Sequence, residues 1–242
     1  MSLSGKIAFV TGAGGGIGKV IAVSLAKKGA KVVIFGGKNK EKLLETEKEI
    51  NKVGGTCYIF HGDLTDDKVL EDCFANAIDK VGGIDILINN AGVTYNAPVE
   101  QTEIETFDKI MAINARVPFI LTQKSLPYLR KSQSASIINI SSVVAHAGYP
   151  NQSAYTASKH ALLGFTKALA NEVYNDGIRV HAISPGGVYT DMVKIARPDL
   201  TGEGQIQPQD IADIVLFLLI NRTNAVIDEI IVHRVNKPPF LV

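Results

Sequence analysis

The run Lys6-Ile7-Ala8-Phe9-Val10-Thr11 passes without a break into Gly12-Ala13-Gly14-Gly15-Gly16-Ile17-Gly18, and no other junction constrains the fold as much. The first segment reads as a buried strand. Glycines then permit a tight turn and a close approach of backbone to ligand. The helix that follows carries Ile17, Ile21 and Leu25 as an apolar stripe and meets Gly29 at its carboxyl end. Its first turn offers free N–H groups and a positive dipole end to an anion. A glycine-rich turn alone is weak evidence, but between a strand and a helix it is the arrangement that holds a dinucleotide pyrophosphate.

The same alternation continues along the chain. Strands are expected near 6–11, 31–35, 56–61, 84–89, 135–140, 179–184 and 229–234, and helices near 17–28, 40–52, 66–80, 103–130, 153–174 and 208–220. Such a pattern builds an α/β fold: a Rossmann-type, doubly wound parallel sheet of about seven strands with helices on both faces and its ligand at the carboxyl ends of the strands. With 242 residues, 46% of them hydrophobic, and no internal repeat, low-complexity tract or linker, a single NAD(P)-binding domain spanning 1–242 is expected.

Tyr155 and Lys159 lie one helical turn apart in a helix-forming stretch, so phenol and ammonium project from one face. A tyrosine titrates near about pH 10; a fixed cation beside it favours the phenolate and brings proton transfer toward neutrality. Ser142 follows the apolar run Ile137-Ile138-Asn139-Ile140, at the edge where a parallel sheet exposes its carboxyl ends, and can hold a carbonyl oxygen for that tyrosine. An isolated Tyr-x-x-x-Lys is usually a solvated helix face. This one is accompanied.

Thr11-Gly-x-x-x-Gly16-x-Gly18, Asn89-Asn90-Ala91-Gly92, Ser142 and Tyr155-x-x-x-Lys159 together resemble the short-chain dehydrogenase/reductase family, in its compact single-domain branch, over roughly residues 5 to 190. The resemblance implies an oxidoreductase that moves hydride between nicotinamide and a carbonyl or secondary alcohol. Its catalytic residues would be Asn114, Ser142, Tyr155 and Lys159, with Tyr155 supplying the proton and Asn114 interrupting its helix to hold a water that links Lys159 to solvent. Cofactor contacts would come from Gly12, Gly14, Gly15, Gly16, Ile17 and Gly18 of the turn, and from Gly36 and Lys38 after the second strand. Asp63 and Leu64 follow the third strand and Asn90, Ala91 and Gly92 the fourth, while Pro185, Gly186, Val188 and Thr190 would fix the nicotinamide; Tyr155 and Lys159 also reach the ribose. No metal site is implied.

Gly36 stands where NAD-specific relatives commonly carry an acid for the ribose 2′-hydroxyl. Gly15 and Gly37 replace basic residues common in NADP-dependent relatives, while Lys38 and Lys40 lie within reach of a 2′-phosphate. NADP(H) is therefore preferred over NAD(H), which stays open. Among relatives the chain is most like 3-oxoacyl-carrier-protein reductases. Reduction or oxidation of another small ketone, 3-hydroxy acid or sugar alcohol is the alternative, and a catalytically silent dinucleotide-binding regulator the second. Nucleotide-sugar epimerases and dehydratases usually differ in glycine spacing and have a larger carboxyl-terminal region.

The formal net charge of +1 gives no bias toward nucleic acid or an anionic membrane, and the lysines between residues 38 and 52 alternate with glutamates. The first strand begins too early for a leader segment, and no apolar run approaches the roughly 20 residues needed to cross a bilayer. A soluble, cytoplasmic protein is the expectation. Cys57 and Cys73 lack metal or redox spacing and read as reduced structural thiols. Tyr95, Val144, His146, Tyr149 and Tyr189 follow strands feeding the active edge and are candidate pocket residues for a small carbonyl or alcohol, or an acyl thioester. The segment after Thr190 is short, which suggests an open or small site. The tail lacks the family's glycine-rich close, which puts the usual homotetramer in doubt and leaves a homodimer through the long helices.

Overall fold

β1 (Ile7–Thr11), β2 (Lys31–Gly36), β3 (Thr56–His61), β4 (Ile86–Asn89), β5 (Ser136–Ile140), β6 (Arg179–Pro185) and β7 (Glu229–Val232) form one parallel sheet. The computed structural model describes residues 2–37, 39–191, 193 and 201–238. The strand order is β3-β2-β1-β4-β5-β6-β7, so the chain changes direction between β1 and β4. That reversal opens a crevice at the carboxyl ends, the place where doubly wound sheets bind ligands.

Strand periodicity splits the core into two layers. Ala8, Val10, Val32 and Ile34 pack with Ile21 and Leu25 of α1 (Gly16–Lys27), Leu43 and Ile50 of α2 (Lys40–Lys52), and Ile211 and Val215 of α7 (Pro208–Ile220). Phe9, Val33 and Phe35 face the opposite way, toward Leu70 and Phe74 of α3 (Asp67–Val81), Val117 and Leu121 of α5 (Val117–Leu129), and Leu169 of α6 (Ser153–Glu172). The rings of Phe9 and Phe35 sit 5.3 Å apart and those of Phe9 and Phe74 6.1 Å, within the range of favourable aromatic pairs. Covered on both faces, the strands are the near-continuous apolar runs that parallel sheets require.

Three boundaries depart from the sequence expectation. β4 begins at Ile86, and Asp85 just before it already bonds both neighbours through its main chain, while its Oδ2 accepts from Ile7 N at 2.9 Å and its Oδ1 from Lys6 Nζ at 3.3 Å. β7 ends at Val232, whose carbonyl takes the last rung from Gly186 N at 2.8 Å just beyond β6. The helix expected over 103–130 is three pieces: α4 (Ile104–Met111), a π turn (Ala112–Arg116) and α5. In α-helical register the donor to the Asn114 carbonyl would be residue 118, which is a proline without an N–H. A local i→i+5 turn is the relaxed answer, and such turns cluster at functional positions.

Among the described residues, no helix is long and apolar enough to cross a membrane.

Candidate active site

The glycine turn is shaped by what packs on it. Gly12 (φ 66°) and Gly16 (φ 51°) occupy the left-handed region, which side chains adopt only under strain. Gly18 is required for a different reason: a Cβ there would lie 2.5 Å from Gly12 O and nearer still to Asn90 Nδ2. The turn is held from behind by β4, since Asn90 Nδ2 donates to Thr11 O at 2.9 Å and Thr11 Oγ1 accepts from the main-chain N–H groups of Asn90 and Ala91 at 3.0 and 2.9 Å. From α2, Thr46 Oγ1 donates to Ala13 O at 2.8 Å.

The first turn of α1 has neither a side-chain cap nor an acidic residue, so its N–H groups are available to an anion. Open space surrounds Gly15, where an added Cβ would meet nothing within 4 Å. A backbone cradle of free donors, with room above it, fits a dinucleotide pyrophosphate. Thr190 closes the crevice from the β6 side: a Cβ at Gly16 would be 3.1 Å from its methyl group.

Ser142 lies two residues past β5, where it caps a short turn (Val143–Ala145) by accepting from Val144 N at 3.3 Å, and it donates to Pro185 O at 3.4 Å. It lies near enough to Tyr155 on α6 to act on that residue's phenol. One turn further, Lys159 Nζ lies 5.8 Å from the Tyr155 ring centroid and donates to Ile140 O at 2.8 Å. Asn114 in the π turn is fully buried; its Oδ1 accepts from Val93 N at 2.8 Å, and its Nδ2 donates to Val93 O at 2.9 Å and Ser158 Oγ at 3.0 Å. Gly92 fits between the two: a Cβ would sit 3.4 Å from Asn114 Oδ1 and 3.6 Å from Lys159 Nζ. Asn114, Ser142, Tyr155 and Lys159 thus converge from three chain segments, the π turn, the end of β5 and α6.

The electrostatics correct one expectation. Burial raises the Tyr155 phenol above its ordinary 10.0, and the offsetting influence is the Ser142 hydroxyl rather than the lysine. Lys159 lies over the ring and is itself pushed down to about 8, because burial strips its hydration and a carbonyl replaces it. In the free chain, desolvation therefore outweighs the attraction that the helical spacing alone suggests, and the phenol stays protonated at neutrality.

The other expected contacts are distributed as follows. Asp63 Oδ1 accepts from Thr65 N at 3.1 Å and Thr65 Oγ1 at 2.6 Å, rigidifying the turn after β3, and Leu64 packs against the phenylalanine layer. Ile17 is half-buried beside the turn, and a Cβ at Gly14 would be 3.3 Å from Lys42 Cβ. Gly36 is a packing residue as well as the end of β2: a Cβ would stand 2.9 Å from both Leu43 methyl groups, and Leu43 is fully buried. Val188 is buried and bridges to Ile206. Lys38 lies outside the described residues, as does most of the segment after Thr190. His146, a candidate pocket residue, has its Nε2 2.7 Å from Glu229 Oε1, which also accepts from Ser184 Oγ at 2.7 Å.

Sequence reasoning missed the supports. Thr46 is a fully buried threonine amid the charged run Glu45-Thr46-Glu47, three residues after Leu43 and four before Ile50, which is the readable sign of an inward position. Asn89 and Asn139 interrupt apolar strands; Asn89 Nδ2 donates to Asn139 Oδ1 and Asn139 Nδ2 to Thr166 Oγ1, both at 2.8 Å, tying β4 and β5 to α6. A polar residue inside a buried strand announces a partner without naming it.

Residues 6–201 match the short chain dehydrogenase family. The 3-oxoacyl-[acyl-carrier-protein] reductase of Thermotoga maritima is 34% identical over 240 residues, covering 96% of this chain and 97% of that protein. The structure of a 3-ketoacyl-(acyl-carrier-protein) reductase from Brucella melitensis, complexed with NADH, superposes with a TM-score of 0.85 at 31% identity, covering 96% of this chain and 97% of that one. A metagenomic short-chain oxidoreductase in complex with NADP gives a TM-score of 0.85 at 32% identity, covering 98% and 100%.

Proposed function

This chain belongs to the short-chain dehydrogenase/reductase family and is an NAD(P)-dependent oxidoreductase; from that premise we propose that it reduces a carbonyl group, with NADPH preferred, through Asn114, Ser142, Tyr155 and Lys159. The observation that carries the reading is the convergence of the Ser142 hydroxyl and a protonated Tyr155 phenol, with Lys159 a turn away, at the edge where Thr190 meets the glycine turn. When bound, the nicotinamide supplies the hydride. Ser142 and Tyr155 together hold the substrate oxygen, and Tyr155 delivers its proton to that oxygen as negative charge develops there. Lys159 supplies positive potential beneath the phenol and reaches the ribose. Asn114 locks the loop after β4 against α6, keeping Gly92 clear of Lys159.

The pyrophosphate is assigned to Gly12, Gly14, Gly15, Gly16, Ile17 and Gly18, the adenosine to Gly36, Lys38, Asp63, Leu64, Asn90, Ala91 and Gly92, and the nicotinamide side to Pro185, Gly186, Val188 and Thr190. NADP is favoured because Gly36 presents no carboxylate to repel a 2′-phosphate, and because a relative of this fold holds NADP. A 3-oxoacyl thioester is the leading substrate, supported by similarity to the T. maritima reductase along nearly the whole chain. One NAD(P)-binding domain across 1–242, a cytoplasmic location and a homodimer complete the reading. The dimer is supported by Phe119, 51% exposed on α5 and packed on Phe165 of α6 at 5.1 Å, and by Ile104, 69% exposed on α4.

The test is a panel of 3-oxoacyl thioesters, keto acids and simple ketones offered with NADPH and with NADH, with Tyr155→Phe assayed alongside. Reduction of at least one class by the wild type, lost in the variant, is the expected result. A wild-type protein that binds NADPH yet reduces nothing would replace the reductase with a redox-silent regulator, and a large preference for NADH would reverse the cofactor assignment.

A further inference from the structure

We propose that Arg234 is a specificity residue that receives an oxyanion carried by the substrate, a carboxylate or a phosphate ester, at a distance from the carbonyl being reduced. The inference rests on the reductase reading and narrows its substrate class.

Arg234 follows β7 at the carboxyl edge of the sheet, the edge that carries Ser142, Tyr155 and the glycine turn. A short chain of contacts leads to it from Ser142, whose hydroxyl donates to Pro185 O at 3.4 Å; the next residue, Gly186, donates to Val232 O at 2.8 Å. Gly187 then packs against the tail, where a Cβ would lie 3.5 Å from Arg234 Cδ. The guanidinium is aimed by a buried amide: Gln205, only 8% exposed, donates to Gly187 O at 3.1 Å and accepts from Arg234 Nη1 at 2.9 Å. Gly187 leaves room for that amide, since a Cβ there would come within 2.8 Å of the Gln205 side-chain amide.

Arg116 and Arg130 are each paired with an aspartate, Asp67 and Asp176, whereas no carboxylate among the described residues pairs with half-buried Arg234. A guanidinium whose Nη1 is fixed by a neutral amide keeps further N–H donors in a planar fork that suits a carboxylate or phosphate.

The experiment compares three substrates of the same 3-oxo chain: the free 3-oxo acid, the coenzyme A thioester, whose oxyanions are phosphates, and the neutral N-acetylcysteamine thioester. Arg234→Gln is expected to raise KM at least tenfold for one of the two anionic substrates and to leave the neutral thioester within about twofold; which anion responds identifies the source of the oxyanion. Arg234→Lys should restore part of the loss. An equal change for all three substrates, or none for any, would overturn the assignment, the former pointing to a purely structural role. Turnover of the neutral thioester by the wild type reports on the reductase reading alone, so the two ideas fail separately.

Discussion

The ammonium of Lys159 donates to the main-chain oxygen of Ile140 at 2.8 Å, and no described carboxylate pairs with it. A cation 4% exposed and held by a carbonyl is a functional group kept at a cost in stability. With its pKa lowered from 10.5 to about 8, the penalty is present in full below about pH 8 and fades as pH rises to 10.5, where the unfolded lysine also loses its proton. Lys159→Met should therefore be more stable than wild type at pH 7, by about 1–3 kcal/mol after the lost hydrogen bond is offset, while losing reductase activity. Urea unfolding at pH 7 and near pH 10 tests the sign: the stability gap must shrink at the higher pH. A variant less stable than wild type at pH 7 would mean that the Ile140 bond outweighs desolvation.

Tyr155 is the donor in the proposed reduction, and its raised pKa keeps it protonated through the neutral range. Tyr155→Phe removes one oxygen from a site whose remaining contacts are untouched. The expected loss in kcat is about 100-fold or more, with NADPH affinity, followed by fluorescence titration, changed less than about threefold. Retained turnover would remove the phenol from the mechanism.

What the chain discloses before folding depends on the distance between partners. Tyr155 and Lys159 are four residues apart on one helix, and the glycine turn lies within one strand-turn-helix unit, so local periodicity brings them to light. The crevice between β1 and β4 follows from strand order, which alternation alone anticipates. The supports are another matter. Ile140 acts through a carbonyl that every residue has, and Thr46, Asn139 and Gln205 find their partners 33, 27 and 18 positions away. The lowered tyrosine expected from the lysine failed for a related reason: helical spacing conveys proximity but not burial, and burial determined the direction.

The ladder from Asn89 through Asn139 to Thr166 sets the height of α6, two turns beyond Lys159, and should behave as a unit. Asn139→Ala and Thr166→Val each leave a buried partner unsatisfied, at about 1–3 kcal/mol apiece. Their double variant should lose less than the sum, with a coupling of about 1 kcal/mol in chemical denaturation. Strict additivity would mean that the ladder is not shared.

Gly36 offers the last and most constrained test. Changing it to Asp would supply the acid that accepts from a ribose 2′-hydroxyl, the usual basis of NAD preference. The backbone has no room for it: the new Cβ would press at 2.9 Å on two methyl groups of Leu43, which has no exposure and packs with Val10, Ile34 and Ile50. Gly36→Asp alone should therefore destabilise the protein by about 1–3 kcal/mol, as overpacked cores do, with a blurred change in cofactor choice. Pairing it with Leu43→Ala opens the space, so the double variant should be no less stable than Leu43→Ala alone. It should also shift the ratio of kcat/KM for NADH over NADPH at least tenfold beyond wild type. Thermal unfolding of all three variants, with turnover on both cofactors, checks each step; a single variant as stable as wild type would show that Leu43 yields and that packing does not hold glycine at the end of β2.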